Sequence, residues 1–403
     1  MKRITHRGTT AVGLTLLALA LAGCGGGGGG NGGSSSTNSS GSTGTGSTST
    51  ASNGAALLAA YSPPADIVAD VQTSYAGPAF STYNSGLSSN CADPAKVSST
   101  VIVTSNAVVF SAGGSLKAQE LAADLLEQAI PQIRTALGLP STGVAFDGSH
   151  KISLCVDPTM GQSASETGST VTGVVGQTGT GVGPVMQVMA ADSPSFGARY
   201  PEATSYTAPV GQSYADLFVH EGTHAAIYSV TEPFLGTPTF FQEGLATDLS
   251  HLPLGSKASI LAAVQASDLL SASNSNTDLN AYPVYEATMQ LVTSTAPGGL
   301  GYGLTNIPAF LAAFKAQAEA VCSQAIPNGI IPSAWQTVGL PAGQYNVCAA
   351  GAGVVDPRLA AAFDTAWNAT FKDNGGGPLY LYSADSPSSL ESTLYQRLNG
   401  FLQ

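Results

Sequence analysis

The sequence predicts an α+β fold: a small mixed sheet interleaved with helices, followed by a mostly helical C-terminal subdomain. Three observations predict it. Residues 99–110 and 151–156 are rich in Val, Ile and Thr, the composition of strands. Between them Leu116, Leu121, Leu125, Ile130 and Ile133 recur at helical spacing. Beyond residue 252 the apolar pattern turns helical.

Taken in order, the chain begins with Lys2, Arg3 and Arg7 ahead of an apolar run over residues 11–22. That run is too short to cross a bilayer core of roughly 30 Å, so it reads as an export signal. It ends in Leu21-Ala22-Gly23-Cys24, which resembles the lipobox of bacterial lipoproteins. The resemblance implies a signal peptide over 1–23, cleavage before Cys24 and a lipid on its sulfur. The lack of a retention signal after Gly25 then implies an outer-membrane lipoprotein facing the periplasm or the cell surface. An ordinary secretory signal is the alternative. Residues 24–55 follow as the acylated Cys and a Gly/Ser-rich tether. A flexible chain of about thirty residues reaches only ~30 Å on average, so the folded part stays near the membrane.

The core subdomain is expected over 56–251. A short helix follows Pro63-Pro64. A strand covers 99–110, a helix 115–137 with a kink at Pro131, and a strand 151–156. Residues 170–189 mix Val and Gly with Thr and Gln, which suggests one or two strands around a Gly-rich turn. Residues 185–190 read as an edge strand. Over 252–403, helical periodicity appears at 256–270, 285–295, 307–321, 356–371 and 388–402. Asp356-Pro357 and Ser386-Pro387 have the form of helix starts.

With 13 basic and 25 acidic residues, the formal charge is −12. There is no basic footprint for nucleic acid. Apart from Cys24 there are four cysteines, Cys91, Cys155, Cys322 and Cys348. An even number in an exported chain reads as disulfides. Three connectivities are open. Cys91–Cys155 with Cys322–Cys348 is preferred, because each pair stays within one half of the chain. Cysteine ligation of a metal lacks any close C-x-x-C spacing.

The chemistry concentrates in residues 213–228, which contain His220-Glu221-Gly222-Thr223-His224. Ser213 is placed to cap this helix, with Asp216 three residues later. Two histidines four apart project from one helical face and can grip one ion, for which Zn²⁺ suits imidazole best. Glu221 is offset by one residue, where it can take a proton from a water beside the ion. Two histidines leave the ligand set incomplete. Thr237-Pro238 starts another helix, and Glu243 lies in its second turn. Two His, one Glu and one open position form the ligand set of a catalytic zinc.

His220-Glu221-x-x-His224 and Glu243-Gly244-Leu245-Ala246 resemble the two motifs of the gluzincin metallopeptidases, the thermolysin-like and aminopeptidase-N-like clan. The expected element order over residues 99–251 is similar to theirs as well. The resemblance implies one zinc held by His220, His224 and Glu243, with Glu221 as general base. It implies a peptide or protein substrate paired to the edge strand. Tyr285-Glu286-Ala287-Thr288 resembles the clan's Y-E-x-G segment, which implies Tyr285 as the group facing the developing oxyanion; Tyr282 is the lesser candidate, with His150 and His251 behind it. Asp216, Thr247 and Asp248 are placed to orient ligands or simply to cap and pack.

The chain also departs from the clan. Gly222 stands inside the helix where many relatives carry a bulky residue. The aminopeptidase-type G-x-M-E-N segment is missing, with Gly197-Ala198-Arg199-Tyr200 a faint echo, so exopeptidase action does not follow. The competing expectation is a non-catalytic binding or structural lipoprotein that keeps the zinc scaffold. Against it stands Glu221, which a purely structural zinc does not need.

Overall fold

The computed structural model describes residues 53–77, 79–80, 90–160, 169–172, 183–200, 214–251, 255–275, 279–330, 340–348, 355–373 and 375–403. The signal segment, Cys24, the tether up to residue 52, the Ser213 cap and the Gly-rich turn lie outside the described residues.

The chain enters the fold as α1 (Asn53–Ala60) and α2 (Ala65–Ala69), the short helix expected after Pro63-Pro64. Residues 53–55 therefore belong to a helix and not to the tether. Gly54 is buried against the Ala191 carbonyl, where any Cβ would collide. Then come β1 (Val71–Gln72), β2 (Val101–Val103), β3 (Ala107–Ser111), α3 (Leu116–Leu137) and β4 (Ile152–Asp157). Next are β5 (Ser169–Thr172), β6 (Val185–Met189), the single turn α4 (Phe196–Arg199), α5 (Tyr214–Thr231) and α6 (Thr239–Ser250). The second half holds α7 (Lys257–Ala266), α8 (Leu269–Ala272), α9 (Tyr282–Thr293) and α10 (Ile307–Cys322). The hairpin β7 (Ser323–Ala325) and β8 (Gln344–Asn346) precedes α11 (Pro357–Thr370) and α12 (Leu390–Phe401). This is an α+β molecule.

The main sheet runs β1-β2-β3-β4-β6-β5. The pairs β3–β4 and β4–β6 are parallel, and the others are antiparallel. The expected single strand over 99–110 is two strands. Thr104-Ser-Asn106 turns the chain, with Thr104 Oγ1 accepting from Ala107 N at 2.9 Å and the Asn106 side chain held by Glu127 at 2.6 Å. These are the residue types that bond to their own turn. The expected edge strand is also corrected: β6 lies inside the sheet, between β4 and β5, and β5 is the outermost strand. All five β6 residues are buried, as an interior strand requires.

Helix α3 starts where Ser115 accepts from Ala118 N. It continues through Pro131 and stops at Gly138, whose φ of 66° is left-handed. The stretch 256–270 breaks into α7 and α8 at Ser267, which is extended. Asp356 caps α11 as expected. The cap of α12 is Ser389, accepting from Ser392 N, and not Ser386.

One apolar core runs from Leu57 to Leu402 without a break at residue 251. A smaller cluster with Phe80, Val101 and Phe110 surrounds the Cys91–Cys155 bridge. The second disulfide, Cys322–Cys348, flanks the β7–β8 hairpin. Both preferred pairings are present.

Candidate metal centre

Helix α5 carries the two histidines on one face, as their four-residue spacing demands. Its opposite side must come close to α3, and Gly222 permits this. A Cβ at 222 would stand 2.6 Å from Ile133 Cδ1. The glycine that costs ~1 kcal/mol in helix propensity thus makes room for a buried core side chain.

Helix α6 is held from two sides. Phe241 meets Phe310 of α10 at 5.4 Å and Phe363 of α11 at 5.3 Å, and Phe240 meets Trp367 at 5.9 Å. Such edge-to-face pairs add about 0.5–1.5 kcal/mol each beyond their burial. On another side Gly244 lies against the backbone of α9. A Cβ there would overlap the Tyr285 carbonyl oxygen and stand 2.7 Å from its carbon. The link between α5 and α6 is tied down too, since Asn346 Nδ2 donates to Pro233 O at 3.1 Å. These contacts aim Glu243 at the histidines.

His220 Nε2 and His224 Nε2 are 3.3 Å apart. Glu243 Oε2 lies 3.3 Å from the first and 3.6 Å from the second. Donors bound tetrahedrally at about 2.0–2.1 Å from one ion stand about 3.3–3.4 Å from each other. The three atoms therefore already sit close to the corners that such an ion requires. Glu243 Oε2 is buried and has no hydrogen-bond partner among the described residues, the condition of an atom reserved for something else. His224 is 0% and Glu243 1% exposed. Burial by itself would raise the Glu243 carboxyl, but the His224 and His220 imidazoles outweigh it and hold it at about 2. The residues present fit a metal ion, and this His220–His224–Glu243 group could hold one.

Glu221 is 1% exposed, one residue on from His220. The tyrosines around α5 have different tasks. Tyr214 donates to Met189 O at 2.6 Å, and Tyr228 to Gln242 Oε1 at 3.2 Å. Tyr200, at the end of α4, packs its ring 5.4 Å from Tyr214 and lies within electrostatic reach of Glu221. Only the short echo around Gly197 hinted at Tyr200 in the sequence.

Tyr285 is buried where α6 meets α9, its ring 6.0 Å from that of Tyr282. His150 pairs with Asp147 at 2.5 Å. His251 is the left-handed cap of α6, with a φ of 53°. The Nδ1 atoms of His220 and His224 have no hydrogen-bond partner among the described residues, so Asp216, Thr247 and Asp248 do not hold them. Asp248 instead pairs with Gln290. Beside it Glu286 is buried, its carboxyl raised to about 8 by desolvation and then by Asp248.

The chain matches no protein-family model, no curated protein and no solved structure.

Proposed function

We propose that this chain is a zinc-dependent peptidase, exported as a lipoprotein and held at the outer membrane by a lipid on Cys24. The observation that carries the proposal is the spacing of His220 Nε2, His224 Nε2 and Glu243 Oε2, at 3.3–3.6 Å, with Glu221 on the adjoining helical position. Two imidazoles and a carboxylate are donors that suit Zn²⁺, and three protein donors leave a position open. Zinc bound there would supply a Lewis acid that polarises a carbonyl and acidifies a water. Glu221 takes the proton of the attacking water and delivers it to the leaving amine. β5 ends the sheet among the described residues and packs beside α5, so an extended peptide has a strand edge to pair with next to that helix. The edge that binds substrate is then β5 and not β6. Among the described residues no helix is long and apolar enough to cross a membrane.

The test is the Glu221→Gln variant in zinc-loaded protein, assayed on a broad peptide library. It keeps its zinc and loses cleavage by about 10²–10⁴-fold, the usual contribution of a general base. A variant that cleaves at the parent rate removes Glu221 from the mechanism. The second reading, a non-catalytic zinc scaffold, draws on the near-complete burial of His224, Glu221 and Glu243. Full zinc occupancy with no cleavage of any library peptide selects it.

A further inference from the structure

We infer that Tyr200 is a catalytic residue of this site: its phenol donates a hydrogen bond to the carbonyl oxygen that gains charge when a peptide is attacked. The inference rests on the peptidase reading and goes further, because that reading names no oxyanion donor and the sequence resemblance points to Tyr285 instead.

The geometry narrows the choice. Peptide hydrolysis needs a donor aimed at the developing oxyanion. Of the tyrosines packed around α5, Tyr214 and Tyr228 already spend their hydroxyls on Met189 O and Gln242 Oε1. The Tyr200 hydroxyl makes no hydrogen bond among the described residues. Its ring is fixed between Phe196, at 5.0 Å, and Tyr214, at 5.4 Å. Tyr214 is itself immobilised by its bond to β6 and by Phe218 at 5.1 Å. Tyr214 and Glu221 are two helical turns apart and so share a face of α5. A phenol packed edge-to-face against Tyr214 is thereby held on the Glu221 side of the helix. Burial, then the Glu221 charge, push the Tyr200 phenol above its ordinary range, against a smaller opposing effect of Arg199. The group stays protonated and acts as a donor. Tyr285, by contrast, has its backbone under Gly244 and its ring beside Tyr282, within the α6–α9 contact.

The test compares Tyr200→Phe with Tyr285→Phe in the full-length protein. Tyr200→Phe removes one oxygen and keeps the ring packing. Metal content and KM stay at parent values while kcat falls about 10²–10³-fold, the usual cost of one oxyanion donor. Tyr285→Phe changes kcat by less than about threefold on the same account. An independent readout uses cobalt-loaded protein titrated with a phosphonate dipeptide analogue and with 2-mercaptoethanol. Tyr200→Phe weakens the phosphonate, which presents an oxyanion, by tenfold or more and leaves the thiol unchanged. Equal phosphonate affinity, or an unchanged kcat, overturns the inference while peptide cleavage by the parent keeps the peptidase reading. If the parent cleaves nothing, the phosphonate titration alone decides the role of Tyr200. A parent that binds neither cobalt nor phosphonate sinks both.

Discussion

The two helices that carry the candidate metal ligands each have a glycine at a tight contact, and the two contacts differ in kind. On α5, Gly222 faces the tip of the Ile133 side chain. On α6, Gly244 faces the Tyr285 carbonyl and the flank of Met289. A side-chain tip in a core has other rotamers and can shift by a few tenths of an ångström. A backbone carbonyl inside a helix is fixed by its own hydrogen bonds and moves only if the helix moves. The lesson is that the α5–α3 contact tunes packing, whereas the α6–α9 contact sets where Glu243 stands.

The largest effect is therefore expected from Gly244→Ala. The new methyl group separates α6 from α9 and carries Glu243 off the histidine pair. We expect a loss of about 3 kcal/mol or more, the upper range for overpacking, together with loss of metal. Denaturant midpoints and metal content check this together. A variant with parent stability and parent metal content would remove the structural role given to the contact.

A pH dependence comes next and belongs to the same contact. Glu286, on α9, has a folded pKa of about 8, against 4.5 for the ordinary group. The unfolded chain gives up this proton above about 4.5, while the folded protein keeps it until about 8. Folding then takes up a proton across that window, so stability falls as pH rises through it. The slope is at most roughly 1.4 kcal/mol per pH unit from this residue. Glu232, buried just beyond α5 and also raised to about 8 by desolvation, adds to the same trend. Glu286→Gln should flatten the decline in stability between pH 5 and 8 and leave the Glu232 share. An unchanged slope in that variant would show that Glu286 is ionised in the folded protein.

The smallest effect belongs to Gly222→Ala. Helix propensity gains ~1 kcal/mol, and the clash with Ile133 costs about 1–3 kcal/mol. The net loss is about 1 kcal/mol with metal content retained. Ile133→Val deletes the obstructing Cδ1, so the double variant should recover the loss. A double variant no better than the sum of the singles would mean that Ile133 is not what Gly222 accommodates.

These contacts also show what the sequence makes legible. His220, Glu221 and His224 were readable because helical geometry alone puts the two histidines on one face. Glu243 was readable because a short link between two helices limits where its side chain can go. The disulfides were readable from proximity along the chain. Gly222 looked like a defect, since Ile133 comes from a distant segment. The α6–α9 contact was equally hidden, because nothing in Gly244 announces which backbone approaches it. The edge of the sheet is hidden for a related reason: β5 is Ser-Thr-Val-Thr, a weak apolar signal, so the stronger pattern over 185–190 reads as the edge strand. Tyr200 became a candidate only when the partners of Tyr214 and Tyr228 were known.

The central claim is that His220, His224 and Glu243 hold one zinc ion beside a catalytic Glu221. Its most direct test is elemental analysis of the purified full-length protein beside the His224→Ala and Glu221→Gln variants. The account predicts close to one zinc per chain in the parent and in Glu221→Gln, and little in His224→Ala. No zinc in the parent after incubation with the metal and removal of the excess would contradict it.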